Sequence, residues 1–205
     1  WLLDDKDAAA KALDFLLRVP DDFETNTTWD VNIRMVDPLM GYTNTLDLLL
    51  ATPYITDEQR DEAAATLCTI NGKFYDRFVL DDLSRQVALG FSQNNHPIRT
   101  ASAIGYVALA FPEHPDSKAW LDWAISELDY LWGPEGQYVQ PDGGVSEGTH
   151  YYGFAFAPSV AFFIAMDNKT NSSDLYTRNC VNRQEVDPWV GHGCVSQGAS
   201  SSIAP

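Results

Sequence analysis

The chain has 205 residues, 45% of them hydrophobic, which is enough for one domain with its own core. A formal net charge of −16 excludes general nucleic-acid binding, which needs a basic face. No apolar run reaches the length of about 18 residues that a membrane span needs.

The N-terminal Trp1-Leu2-Leu3-Asp4-Asp5 has neither the basic region nor the cleavage motif of a signal peptide, and no initiator Met. A processed, trimmed or partial chain is therefore expected. Residues 4–19 carry Ala8, Leu13, Phe15, Leu16 and Val19 at roughly helical spacing, with Pro20 as the stop. Residues 21–32 are polar and loop-like, with Trp29 as an anchor or a sugar-stacking ring. A second helix is expected over 38–51. Thr56-Asp57-Glu58-Gln59 reads as a capping box that opens a helix reaching about residue 78, bent or broken near Asn71-Gly72. A short helix follows over 81–91.

Residues 97–111 are apolar nearly all round, the pattern of a helix buried on most sides. Asp116 is placed to cap a helix over 117–132 whose stripe is Trp120, Trp123, Ala124, Leu128 and Leu131. Residues 133–144 are rich in turn signals, and 147–166 read as a helix that Pro158 kinks or splits. From 168 to 205 the chain is polar and reads as an irregular tail, which leaves 1–167 as the helical domain. No strand alternation is convincing. The expectation is an all-α fold of antiparallel helical hairpins, a bundle or part of an (α/α) toroid. Its core should hold Ile98, Ile104, Val107, Trp123, Leu128 and Phe162.

Of the three cysteines, Cys68 lies in a helical pattern and reads as a buried thiol. Cys180 and Cys194 flank a polar segment and are able to pair in an oxidising compartment. Asn26, Asn168 and Asn171 start N-x-S/T sequons, which chance explains in a chain so rich in Asn, Ser and Thr. His96, His114, His150 and His192 show no His-x-x-x-His spacing and the cysteines no Cys-x-x-Cys, so neither metal nor cofactor is expected.

Two stretches carry chemistry. In Gln93-Asn94-Asn95-His96-Pro97-Ile98-Arg99, Pro97 suits the first helical position, which puts Asn95 and His96 at or next to the N-cap. Free N–H groups and the positive dipole end there attract a carboxylate or a developing oxyanion, with Arg99 one turn on. A plain helix cap with a surface histidine explains the same residues. In Asp142-Gly143-Gly144-Val145-Ser146-Glu147-Gly148-Thr149-His150-Tyr151-Tyr152, glycines permit close backbone approach to a ligand, and a carboxylate, an imidazole and two phenols follow. A glycine-rich turn before a helix with core tyrosines is the alternative.

Together, Asn-Asn-His and the later Asp-Gly-Gly-x-x-Glu-Gly-Thr-x-Tyr resemble the heparinase II/III-like polysaccharide lyases, including oligoalginate lyases, over roughly residues 30–166. The resemblance implies an α/α-toroid domain in which both motifs face one cleft, and β-elimination at a uronic acid of an alginate- or glycosaminoglycan-like polymer. It implies that Asn95 and His96 contact the uronate carboxylate and that Tyr151 is the catalytic tyrosine. Gln93, Asn94, Arg99, Glu147, His150 and Tyr152 are then expected to line the substrate site. It also implies a secreted or periplasmic protein and a β-sandwich domain beyond this chain that supplies further catalytic His and Tyr residues.

Elimination removes a proton α to a carboxylate, so the site must neutralise an enolate, and a tyrosine can act as base or acid. Two other readings fit the residues. One is an inverting glycoside hydrolase with Asp142 and Glu147 as acid and base. In that reading Trp29, Trp120, Trp123 and Trp132 are stacking candidates, although the spacing of Trp120 and Trp123 favours the core. The other reading is a non-catalytic helical module that binds acidic glycans.

Overall fold

The computed structural model describes residues 5–25, 36–76, 95–133, 138–140 and 142–170. Among them are six α-helices and no strand: α1 (Lys6–Thr25), α2 (Val36–Leu50), α3 (Asp57–Tyr75), α4 (Asn95–Ala110), α5 (Ser117–Trp132) and α6 (Gly148–Thr170). One isolated antiparallel bridge, Val139 to Val145, is the extended pairing present among these residues.

The most extensively buried helix sits at the centre. α4 combines Ile98, Ile104 and Val107 with Ala101, Ala103, Ala108 and Gly105, and all of these are buried. Small residues let neighbours approach on several sides, and α4 packs against α2, α3, α5 and α6. Side-chain pairs set the directions. Asp37 meets Arg99 and Asn44 meets Tyr106, so α2 and α4 run parallel. Ser102 meets Ser159, and Gly105 faces the Phe162 ring, so α6 runs the same way.

The short connection over 111–116 turns α5 back along α4, as helical hairpins require. Tyr75 stands edge-on to Trp123 at 6.0 Å and Gly72 lies against Trp120, so α3 runs with α5. The result is two layers of opposite direction, α2–α4–α6 and α3–α5, with α1 against α2 and α3. This is the all-α, antiparallel-hairpin architecture expected of the sequence. Ile98, Ile104, Val107, Trp123, Leu128 and Phe162 are all in its core.

Cys68 is buried and free, and burial pushes its thiol up to about 11. Trp120 and Trp123 are buried too, so neither is a stacking surface. Trp29, the helix expected over 81–91, and Cys180 and Cys194 lie outside the described residues.

Several helix ends differ from expectation. α1 continues through Pro20 to Thr25, because a proline forfeits one backbone hydrogen bond without forbidding the helical turns on either side. α3 runs unbroken past Asn71-Gly72. There the Asn71 side chain is buried against α4, its amide 3.4 Å from the Ile104 carbonyl, and tertiary burial keeps the turn helical despite the low helix propensity of the pair. Its capping box is present, with Thr56 and Gln59 exchanging side-chain-to-backbone bonds.

Asp116 precedes α5 but makes no capping bond. Its helical backbone angles turn the side chain away from the first N–H groups. Pro158 does not split α6. Ser159 Oγ donates to the Ala155 carbonyl (2.9 Å), Ser102 Oγ lies 3.1 Å away, and burial against α4 holds the turn. α6 is described to Thr170, three residues into the segment expected to be tail.

Gly105 has the least room for a side chain among the described glycines. A Cβ there would lie 2.6 Å from Phe162 Cε2 and 2.8 Å from Ala124 Cβ, whereas one at Gly41 meets nothing within 4 Å. Gly105→Ala is therefore expected to lower unfolding free energy by about 1–3 kcal/mol in urea titrations. Gly41→Ala should leave it unchanged or raise it by up to ~1 kcal/mol.

Candidate functional site

Parallel packing of α2, α4 and α6 brings their N-termini to one end of the molecule, and the two sequence motifs meet there. Asn95, His96 and Pro97 open α4, so Asn95 and His96 lie inside the helix and Pro97 is its third residue, two positions further on than expected. Pro97 is tolerated because the first-turn N–H groups have no intrahelical partner. Asn95 is only 2% exposed. Its Nδ2 donates to both carboxylate oxygens of Glu147, each at 3.1 Å, across 52 residues of sequence.

A small hairpin aims Glu147 at Asn95. Asp142 Oδ1 accepts from Gly144 N (2.9 Å), Gly143 takes a φ of +85°, and Gln140 N donates to the Gly144 carbonyl (2.7 Å). Ser146 N then donates to the Tyr138 carbonyl (3.0 Å), and Gly148 at φ +79° starts α6. Both angles lie in the left-handed region that favours glycine. Asp142 is thus committed to shaping a turn.

Tyr138 is the keystone of this hairpin. It is fully buried, stands edge-on to Trp132 at 5.5 Å, and its phenol donates to the Tyr151 carbonyl at 3.2 Å. Burial, then the charge and hydrogen bonding of Glu147, hold the phenol well above the ordinary tyrosine range, so it stays protonated. This hydroxyl therefore anchors the backbone that carries Tyr151 and stands within the field of the Glu147 carboxylate.

Arg99 lies one turn into α4 with its side chain 5% exposed. It reaches Asp37 in the first turn of α2 at 2.9 Å, and its guanidinium carbon stands 5.7 Å from the Phe154 ring centre. Phe154 belongs to an outward-facing aromatic group. His150 lies 5.4 Å from both Tyr151 and Phe154, and those two rings are 5.8 Å apart. Tyr151 is 47% exposed. Tyr152 turns the other way, stacked on Phe156 at 5.0 Å and edge-on to Trp132, and burial raises its pKa. Of the two adjacent phenols, Tyr151 is the one open to a ligand.

The structure thus joins Asn95, Arg99 and Glu147 at one end, with His150 and Tyr151 on the adjoining exposed face. His96 is half-buried on the first turn of α4. Gln93 and Asn94 lie outside the described residues. Tyr138, Asp37 and Phe154 were not singled out from sequence. The available signal for Tyr138 was an aromatic and a valine set inside an otherwise turn-forming, polar stretch. Asp37 and Phe154 carried none, because their importance arises only when α2 and α6 lie beside α4.

The helix ends provide amide N–H groups and positive dipole ends, the amide of Asn95 provides two donors, and Tyr151 provides an accessible hydroxyl. No group of three or more His, Cys, Asp or Glu suited to a metal occurs among the described residues, and no described helix is long and apolar enough to cross a membrane. No family model, curated protein or solved structure compared with this chain matches it.

Asn95→Asp sets a second carboxylate against Glu147. Two carboxyls sharing a site raise one folded-state pKa above its unfolded value of about 4. The variant should match the parent where both groups are protonated and lose about 1–3 kcal/mol as pH rises through that raised pKa. Parallel denaturant titrations from acid to neutral pH check this.

Proposed function

We propose that this chain carries the substrate-binding end of a polysaccharide lyase that cleaves a uronic-acid-containing polymer by β-elimination. The observation that carries the reading is the paired hydrogen bond from Asn95 to both oxygens of Glu147. A buried amide at a helix N-terminus is already arranged to grip a carboxylate in bidentate fashion, and a uronate presents the same group. The layering of three parallel helices against antiparallel returns is what part of an (α/α) toroid requires, and so supports the resemblance to heparinase II/III-like lyases.

In this reading the uronate carboxylate takes the place of the Glu147 carboxylate on Asn95. The α4 N-terminus and the amide then draw charge from the carboxylate as the C5 proton leaves, which stabilises the enolate. Tyr151 exchanges protons at C5 and at the leaving O4, since its exposed hydroxyl stands on the face a chain-like ligand can reach. His96 on the first turn of α4 adds a second donor to the carboxylate, and Phe154 with His150 offers a stacking face for a sugar ring. The net charge of −16 makes such local donors the only means of holding a polyanion. A secreted or periplasmic setting suits such a substrate.

The test is continuous ultraviolet absorbance on alginate and glycosaminoglycan substrates, since elimination creates a conjugated C4–C5 double bond and hydrolysis does not. Tyr151→Phe should lower turnover by at least about 10²-fold, the usual loss for a general acid or base, with Tyr152→Phe near the parent rate. New reducing ends without the chromophore, or full activity in Tyr151→Phe, would overturn the assignment.

A further inference from the structure

At the far end of the same three helices lies a cleft of about 320 Å³, between the last turns of α2, α4 and α6. Its polar lining is Thr43, Asn44 and Asp47 of α2, Tyr106 of α4, and Asn168 and Lys169 of α6, and Ala110 at the end of α4 borders it. Leu109 and Ala165 supply an apolar floor.

The electrostatics follow from the architecture. Parallel helices gather their C-terminal ends as surely as their N-terminal ends, and the ends of α2 and α4 add partial negative charge there. Asp47 adds a full carboxylate in the last stretch of α2, where helix dipoles disfavour it. Neither α2 nor α4 has a basic residue in its last turn; Lys169 of α6 is the one cation in the lining. No ion pair involves Asp47 among the described residues. The Tyr106 hydroxyl donates to Asn44 Oδ1 at 2.5 Å, which leaves the phenol oxygen as an acceptor and the Asn44 amide as a donor.

We infer that this cleft is a binding site for a small hydroxylated primary amine, with the ammonium on Asp47 and the α4 carbonyl end and the hydroxyls on Tyr106, Asn44 and Asn168. The volume suits a single amino sugar, and the balance of donors and acceptors suits hydroxyl groups, which play both parts. The site lies at the other end of the helices from Asn95, uses none of the residues there, and stands whether or not the chain is a lyase.

The experiment is a nuclear magnetic resonance titration of the full 205-residue chain with glucosamine, and with glucose as the neutral isostere. Glucosamine should bind saturably and shift the side-chain amides of Asn44 and Asn168. Glucose should bind at least about tenfold more weakly, the loss expected for one charge-assisted hydrogen bond. Asp47→Asn should bring glucosamine down to the affinity of glucose, and Tyr151→Phe should leave its binding unchanged. Equal binding of the two sugars, no saturable shift, or undiminished glucosamine binding by a folded Asp47→Asn variant would overturn the inference.

Discussion

The burial of α4 is the constraint on which the rest depends. A helix that is apolar on nearly every side must be covered on nearly every side, and α2, α3, α5 and α6 do so. The closeness of that cover is set by small residues, with Gly105 under the Phe162 ring and Ser102 against Ser159. Because α2 and α6 lie parallel to α4, their ends come into register. Both ends of the layer thereby acquire chemistry: three helix starts at Val36, Asn95 and Gly148, and the opposite end around Asp47, Ala110 and Lys169.

Packing and site are therefore one problem. The Asp37–Arg99 ion pair ties the start of α2 to α4, and the Asn95–Glu147 bonds tie the start of α4 to the turn before α6. Arg99 is buried and Asp37 largely exposed, so the pair keeps one foot in solvent, and its value lies in register more than in strength. Glu147 has two parts in this account. It satisfies a buried amide, and in the proposed function it marks the place where a ligand carboxylate would exchange with it.

Much of this was legible in the residues. Periodicity and the lack of alternation point to helices and to the right core, because Ile98, Val107, Trp123 and Leu128 recur at the spacing that burial demands. The pairing of Asn95 with Glu147 was within reach because both stand at helix starts. Less legible were the effects of tertiary contacts. Pro158 and Asn71-Gly72 are breakers in isolation, yet burial and the bonds of Ser159 and Asn71 keep their helices whole. Tyr138 sits in a stretch whose local signals say only turn. Its importance comes from Trp132, Glu147 and Tyr151, which reach it from elsewhere in the chain. Arg99, read as an anion-handling group, spends its charge on Asp37, a partner that no local pattern reveals.

The central claim is that the Asn95 amide is a carboxylate grip that Glu147 occupies until a uronate displaces it. Nuclear magnetic resonance of the Asn95 side-chain amide during titration with a saturated uronate oligosaccharide tests it directly. The account predicts a saturable shift of that amide, together with the Tyr151 ring, and loss of both shifts when the uronate carboxylates are converted to neutral esters. Saturable binding that leaves the Asn95 amide unmoved, or equal shifts with the esterified sugar, would contradict it.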